Sequence, residues 1–264
     1  MNNLPGGSWI KSSRNYRVIN NVLYAELKDI RGNWHKHQLF IEYDKCYDNI
    51  NGRFVDQKIG KNKWCVLLTT AIGAGNDIEY RKELYSIQLE KWVTNTDYFI
   101  FIVESTGNGD FFNNIKDKYP DRIDIISINL GKHSSSSILE AYSIKYAVNH
   151  ILETSIGNDI THILKVTGRY FLDDIQNSLE NVIPNLDFYI QVHTNHNIKW
   201  QNTEYYGIRK NLMIPMVNNV IENKKLMEYN FYKFINQNQF NLTTLGPFPN
   251  NIRRGGDNML IGKL

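Results

Sequence analysis

The chain has 264 residues, enough for one large domain and one small one. Its 30 Lys and Arg stand against 27 Asp and Glu, and the resulting +3 is scattered, so no nucleic-acid arm is expected. No apolar stretch approaches the roughly 20 residues that cross a bilayer, and the start lacks a basic-then-apolar leader, so neither a membrane span nor a signal peptide is expected. The pattern changes near residue 62. Before it, short alternating segments are punctuated by turns. After it, apolar runs alternate with helical periodicity.

In the first part, strands are predicted at Tyr16–Ile19, Val22–Leu27, Trp34–Ile41 and Arg53–Val55. Asn20-Asn21, Arg31-Gly32-Asn33 and Asn49-Ile50-Asn51-Gly52 supply the turns between or before them. Residues 1–60 thus read as a small antiparallel β unit. Ser8-Trp9, Arg14-Asn15, Val22-Leu23 with Ala25-Glu26, Gly32-Asn33-Trp34 and Asn49–Phe54 follow in an order that resembles one repeat of the cyanovirin-N homology lectins. The resemblance implies a sugar site at Lys11, Ser12, Lys28, Ile30, Asn49 and Asn51. The same residues also read as ordinary solvated turn positions. That family pairs cysteines where this chain has Ser13 and Leu27, and it joins two repeats where this chain has one. A unit of roughly 50 residues is near the lower limit for an independent core. Trp9, Val22, Leu23, Leu39 and Phe54 are therefore expected to bury incompletely, and a swapped homodimer through this repeat is expected.

Gly60–Lys63 leads into a second domain, 63–264. Trp64–Thr70 is a continuous apolar run, as in a strand buried on both faces. A helix is predicted over Glu79–Val93 from Tyr85, Leu89 and Trp92. Strands follow at Asp97–Val103 and Ile123–Ile128. A helix over Ser134–Glu153 carries Ile144, Ala147, Val148, Ile151 and Leu152 on one face. Strands at Ile163–Val166 and Phe188–Val192 come next, and Val217–Gln237 is helical in two pieces. The alternation predicts an α/β fold, a mainly parallel sheet with helices on both faces. Ligands of such sheets bind beyond the carboxyl ends of the strands.

The chain has no GxGxxG after the first strand and no GxxxxGK[ST], CxxC, HExxH or GxSxG. The most informative motif is Leu164–Phe171, LKVTGRYF. Gly168 permits a close backbone approach, and Lys165 and Arg169 place two cations where a diphosphate can sit. The plainer alternative is a strand-to-helix connection with a surface Arg and Asp173 as N-cap. Cys46 and Cys65 read as reduced structural thiols, which points to a cytosol-like compartment. The abundance of Asn, Ile, Lys and Tyr points to an AT-rich genome, a protist's or a large DNA virus's, with host cytoplasm or virion as further locations.

Glu104-Ser105-Thr106-Gly107, Lys132 with Glu140, and Lys165 to Tyr170 occur in an order that resembles the GT-A-like glycosyltransferases of surface-polysaccharide and viral glycan pathways. The resemblance implies a nucleotide-sugar donor lying across the first two strands, touched by Thr69, Thr70, Ala71, Glu104, Lys132, Lys165, Gly168 and Arg169. It implies a glycan acceptor as the second substrate. Most such enzymes hold Mn²⁺ or Mg²⁺ with Asp-x-Asp after the fourth strand, and this chain has none. Either Asp173 or Asp174 holds a metal weakly, or cations replace it. Arg253 and Arg254, before Gly255-Gly256, form a second candidate anion site. Glu204 and Glu228, together with Asp174, are the candidate catalytic carboxylates. Glu228 also reads as a helix-surface charge, Ser137-x-x-Glu140 as a capping box, and His193 and His196 as merely polar. Two rivals stand beside the transferase. One is a non-catalytic sugar-binding protein with a degenerate transferase domain. The other is a nucleotidyltransferase, which needs a cation in the first loop, where Ala71–Asp77 has none.

Overall fold

The computed structural model describes residues 4, 8–20, 22–41, 47–50, 52–56, 62–74, 77–131, 135–182, 186–191, 201–237, 240–245, 252–253 and 260–261. The chain forms two compact units that divide between Lys61 and Asn62. Among the described residues no helix is long and apolar enough to cross a membrane.

Alternation organises the first unit. Strands β1 (Ser13–Ile19), β2 (Val22–Lys28) and β3 (Trp34–Phe40) pair antiparallel in that order, and β4 (Tyr47–Ile50) pairs with β5 (Arg53–Asp56). Along β2, Leu23, Ala25 and Leu27 point inward, because successive side chains alternate faces. They meet Trp9, Ile41 and Tyr47 in a core that Val18, Leu39 and Phe54 partly cover. Gly52 turns the β4–β5 hairpin at φ +82°, where a Cβ would also strike the His35 ring. Trp9 and Leu23 are completely buried within a single chain, which corrects the expectation that they bury incompletely. Leu27 is equally buried and lies directly across from Ser13, so aliphatic packing fills the place of a bridge.

The second unit is a seven-stranded sheet. Its strands are β6 (Trp64–Thr70), β7 (Phe99–Glu104), β8 (Ile123–Ser127), β9 (His162–Thr167), β10 (Phe188–Gln191), β11 (Tyr205–Arg209) and β12 (Leu242–Leu245), in the order β12-β10-β11-β9-β6-β7-β8. All neighbours run parallel except β11, which is antiparallel to both β9 and β10. The period of two splits each buried strand between two cores. Val66, Leu68, Ile100, Ile102, Leu164 and Val166 face α1 (Ile78–Asn95). Leu67, Phe101, Val103 and Ile163 face α3 (Ser136–Glu153), α6 (Lys210–Asn223) and α7 (Met227–Asn236). Short helices α2 (Asn113–Lys118), α4 (Ser155–Asp159) and α5 (Ile175–Glu180) fill the connections, and β13 (Ile252–Arg253) pairs with β14 (Leu260–Ile261). The mainly parallel sheet with helices on both faces is as expected.

Several local expectations need correction. Strand β11 (Tyr205–Arg209) lies inside the sheet although no strand is predicted there. Helix α6 begins seven residues before Val217 and contains Pro215. Leu152 is 41% exposed, off the buried face of α3. Ser137 lies inside α3, whose N-cap is Ser135, so Ser137 and Glu140 form no capping box. Asp173 caps no helix; α5 follows Asp174, which is left-handed at φ 58°.

Candidate functional site

The parallel strands deliver their carboxyl ends to one edge, where the segments 71–74, 105–108, 128–131 and 168–170 leave the sheet. Helix α1 starts at this edge and runs to the other. Helix α7 also starts there, because β11 reverses direction and α6 returns.

Glu104 ends β7 and is fully buried. Its Oε1 accepts the Ile72 N–H at 2.8 Å and the Thr106 hydroxyl at 2.7 Å. Its Oε2 accepts the N–H groups of Thr106 and Asn108 at 3.0 and 2.6 Å. Expected as a donor contact, Glu104 instead ties two loops together. Thr69 and Thr70 are also turned to protein partners. Thr69 Oγ1 donates to Glu140 at 3.3 Å, and Thr70 Oγ1 donates to the Val103 carbonyl at 3.1 Å.

Lys165 shares a face with Ile163 and is completely buried. Its ammonium pairs with Glu140, donates to the Thr203 carbonyl at 2.7 Å and reaches the Thr167 hydroxyl at 3.2 Å. A buried charge persists only when paired and hydrogen-bonded, and here every direction is taken. The expected diphosphate contact through Lys165 is therefore replaced by an internal clamp joining β9, α3 and the residues before β11.

Gly168 packs onto the end of β6. Its N–H donates to the Thr69 carbonyl at 2.8 Å, and a Cβ there would lie 2.5 Å from Thr70 Cγ2. Arg169 follows at the mouth of the edge. One Nη lies 3.7 Å from Glu204 Oε2, with the side chains 22% and 20% exposed. The guanidinium sits 5.3 Å from the centre of the Tyr170 ring, and among the described residues its buried Nε has no hydrogen-bond partner. Burial, and then the Glu204 charge, push the Tyr170 phenol up to about 12. Sequence reasoning missed Arg81 and Tyr85. Arg81 Nη1 donates to the Ala71 carbonyl at 3.3 Å, and the Ala71 N–H donates to Tyr85 Oη at 3.3 Å. Although Ala71–Asp77 itself holds no cation, α1 begins at Ile78 and Arg81 looks back from its first turn onto the loop. The signal was the i, i+4 spacing of Arg81 and Tyr85 just after the Asp77 cap.

Asp173 and Asp174 are not at this edge. The Tyr170 carbonyl already accepts from Trp92 Nε1 in the last turns of α1, at 2.8 Å. The chain then continues extended, so both aspartates reach the opposite edge and line a polar cavity with Thr96, Asp97, Gln176 and Glu180. Asp174 accepts a hydrogen bond from Asn177. This geometry sets both apart from the carboxyl edge where they were expected to act. Among the described residues no group of three or more His, Cys, Asp or Glu could hold a metal ion. Glu228 is half-buried in the first turn of α7, and its carbonyl accepts the Gln201 N–H at 3.0 Å. Lys132, Arg254, His193 and His196 lie outside the described residues, and of Arg253 only the backbone is described.

In the first unit, Ser12, Lys28 and Asn49 do come together. Asn49 Nδ2 lies 2.8 Å from both Ser12 Oγ and the Lys28 carbonyl, and its Oδ1 accepts the Gly52 N–H at 2.9 Å. Its amide thus pins three segments together. Lys11 is exposed, Ile30 is 88% exposed, and Asn51 lies outside the described residues.

No family model matches the chain, and no curated protein matches it in sequence. Many solved chains are similar in fold, among them the following three. A 4-diphosphocytidyl-2C-methyl-D-erythritol synthase from Anaerococcus prevotii is 14% identical, with a TM-score of 0.48 over 71% of this chain and 90% of that one. A putative nucleotide-diphospho-sugar transferase from Desulfovibrio desulfuricans is 10% identical, with a TM-score of 0.46 over 70% and 80%. A glycosyltransferase involved in glycosylation of the major capsid of PBCV-1 is 8% identical, with a TM-score of 0.44 over 69% and 81%. At these scores and identities the likenesses decide nothing about activity.

Proposed function

We propose that the second unit transfers a sugar from a nucleotide-sugar donor to a glycan acceptor. The observation that carries this is Arg169. It stands at the carboxyl edge beside the first strand, with a buried Nε that lacks a partner among the described residues and a carboxylate 3.7 Å away. A guanidinium so placed offers a donor diphosphate charge-assisted hydrogen bonds and stabilises the charge that builds as the diphosphate leaves. In the transfer, the bond from the sugar's anomeric carbon to the diphosphate oxygen breaks and one to the acceptor oxygen forms. Glu204 takes the acceptor hydroxyl's proton in this reading, with Glu228 as the second candidate at the same edge.

A nucleotidyltransferase is less well supported despite Arg81. Its triphosphate needs free backbone N–H groups in the first loop, and those of Ala71, Ile72, Gly73 and Ala74 are all engaged within the protein. The first unit is proposed as a carbohydrate-binding module that pairs with a second copy. Its support is that Ser13 and Leu27, which stand where the lectin family has its cysteine pair, are direct cross-strand partners.

Calorimetric titration of the full chain with nucleoside diphosphates and nucleotide sugars, with Mn²⁺ or with a chelator, tests the reading. Binding of at least one is expected. Binding of none overturns it. Binding without sugar transfer to any glycan acceptor leaves the non-catalytic rival.

A further inference from the structure

We propose that Glu104 is a positioning residue that latches the two loops between which the donor's nucleoside lies. This rests on the transferase reading above. Burying a carboxylate is costly unless its lone pairs are used, and Glu104 uses them on N–H and O–H groups of both loops. Ile72 belongs to the segment after β6, and Thr106 and Asn108 to the segment after β7. The Thr106 hydroxyl extends the latch. It donates to Glu104 and accepts the Gly73 N–H at 2.8 Å and Asn108 Nδ2 at 2.8 Å. These contacts cross from β7 back to the first loop and hold its middle, Ile72 and Gly73, while Tyr85 and Arg81 hold its start at Ala71. Glu104 is sealed from solvent, so it acts on a ligand only through the loops it holds.

The carboxylate's symmetry makes the idea testable. In Glu104→Gln, one oxygen becomes an NH₂ group. The remaining oxygen stays on the backbone N–H groups of Thr106 and Asn108, which cannot turn away. The NH₂ then faces the Ile72 N–H and the Thr106 hydroxyl, and only the hydroxyl can rotate to accept. The substitution should therefore release the first loop while leaving the turn after β7 intact.

The experiment compares wild type, Glu104→Gln and Thr106→Val at 10 °C, well below unfolding. Uridine, cytidine, adenosine, guanosine and thymidine and their 5′-diphosphates are the probes. Amide exchange is followed at Ile72, Gly73, Thr106 and Asn108. In Glu104→Gln, exchange should speed at Ile72 and Gly73 and stay slow at Thr106 and Asn108. The nucleoside and diphosphate that wild type binds should weaken by the same factor, at least fivefold. Thr106→Val should speed Gly73 and weaken both probes likewise, and it decides the matter if Glu104→Gln does not fold. Probe affinities within twofold of wild type in a folded variant overturn the latch, as does unchanged exchange at Gly73. A wild-type chain that binds no probe overturns the transferase reading instead, and the exchange pattern still decides whether the loops are latched.

Discussion

Replacing Arg169 by Ala separates a binding role from a packing role. A charge-assisted hydrogen bond is worth about 1.5–3 kcal/mol, so diphosphate affinity should fall roughly 10- to 150-fold. Stability should change less. The Glu204 pair is long, at 3.7 Å, and partly open to water, so it contributes about 0.5 kcal/mol. The Tyr170 contact adds about 0.5–1 kcal/mol. Against both, the substitution removes a buried Nε with no partner, a group that itself costs about 1–3 kcal/mol. These effects oppose one another and should cancel to within about 2 kcal/mol. The assay is calorimetry with a nucleoside and its diphosphate, beside urea unfolding of the same samples. Nucleoside affinity should stay within twofold. Equal losses for both ligands would move Arg169 away from the phosphates. A stability loss of 3 kcal/mol or more would make it a structural residue. Arg169→Lys should recover only part of the affinity, because an ammonium lacks the planar fork.

Other perturbations test the surroundings. Lys165→Met should destabilise by about 3–5 kcal/mol in urea unfolding, because Glu140 and the Thr203 carbonyl lose their buried partner; a loss below 1 kcal/mol would contradict the clamp. Gly168→Ala should cost about 1–3 kcal/mol through the approach to Thr70, and Thr70→Ser in the same chain should recover part of it. His162 is buried and donates from Nε2 to the Leu186 carbonyl at 2.6 Å, and burial lowers its pKa to about 4. The unfolded chain therefore takes up the proton first, near pH 6.5. Stability should fall by up to about 3 kcal/mol from pH 7 to pH 4, and His162→Gln should lack that component of the slope. In sedimentation velocity at tens of micromolar the full chain should run as a dimer if the first unit pairs; a monomer ends that part of the proposal.

Much of the sheet was legible because strands buried on both faces are continuous apolar runs. WCVLLTT and FIFIV need no context to be read. Strand β11 was harder. YYGIR shows no alternation, since its two tyrosines enter opposite cores, and Gly207 suggests a turn. The start of α6 was hidden by Pro215, which reads as a helix boundary although it stands in the sixth position. At the site, sequence order placed Arg169 and Glu204 among the candidates but could not orient Lys165. Its period-two position beside Ile163 marks a shared face, and only the helix above that face makes it internal. The aspartates were misplaced for a related reason. Counting residues after β9 gives a distance along the chain but not its direction, and that segment runs back beside α1.

Cys65 lies in β6, between two strands and two helical layers, with no exposure to solvent. Burial raises its thiol pKa far above the usual range, so the thiolate that alkylating reagents need is scarcely formed. Such a thiol reacts only when the sheet around it opens. In a Cys46→Ser background it would therefore serve as a built-in clock. At high reagent concentration its modification should follow the opening rate of the second unit, and a bound donor that stabilises the folded sheet should slow it.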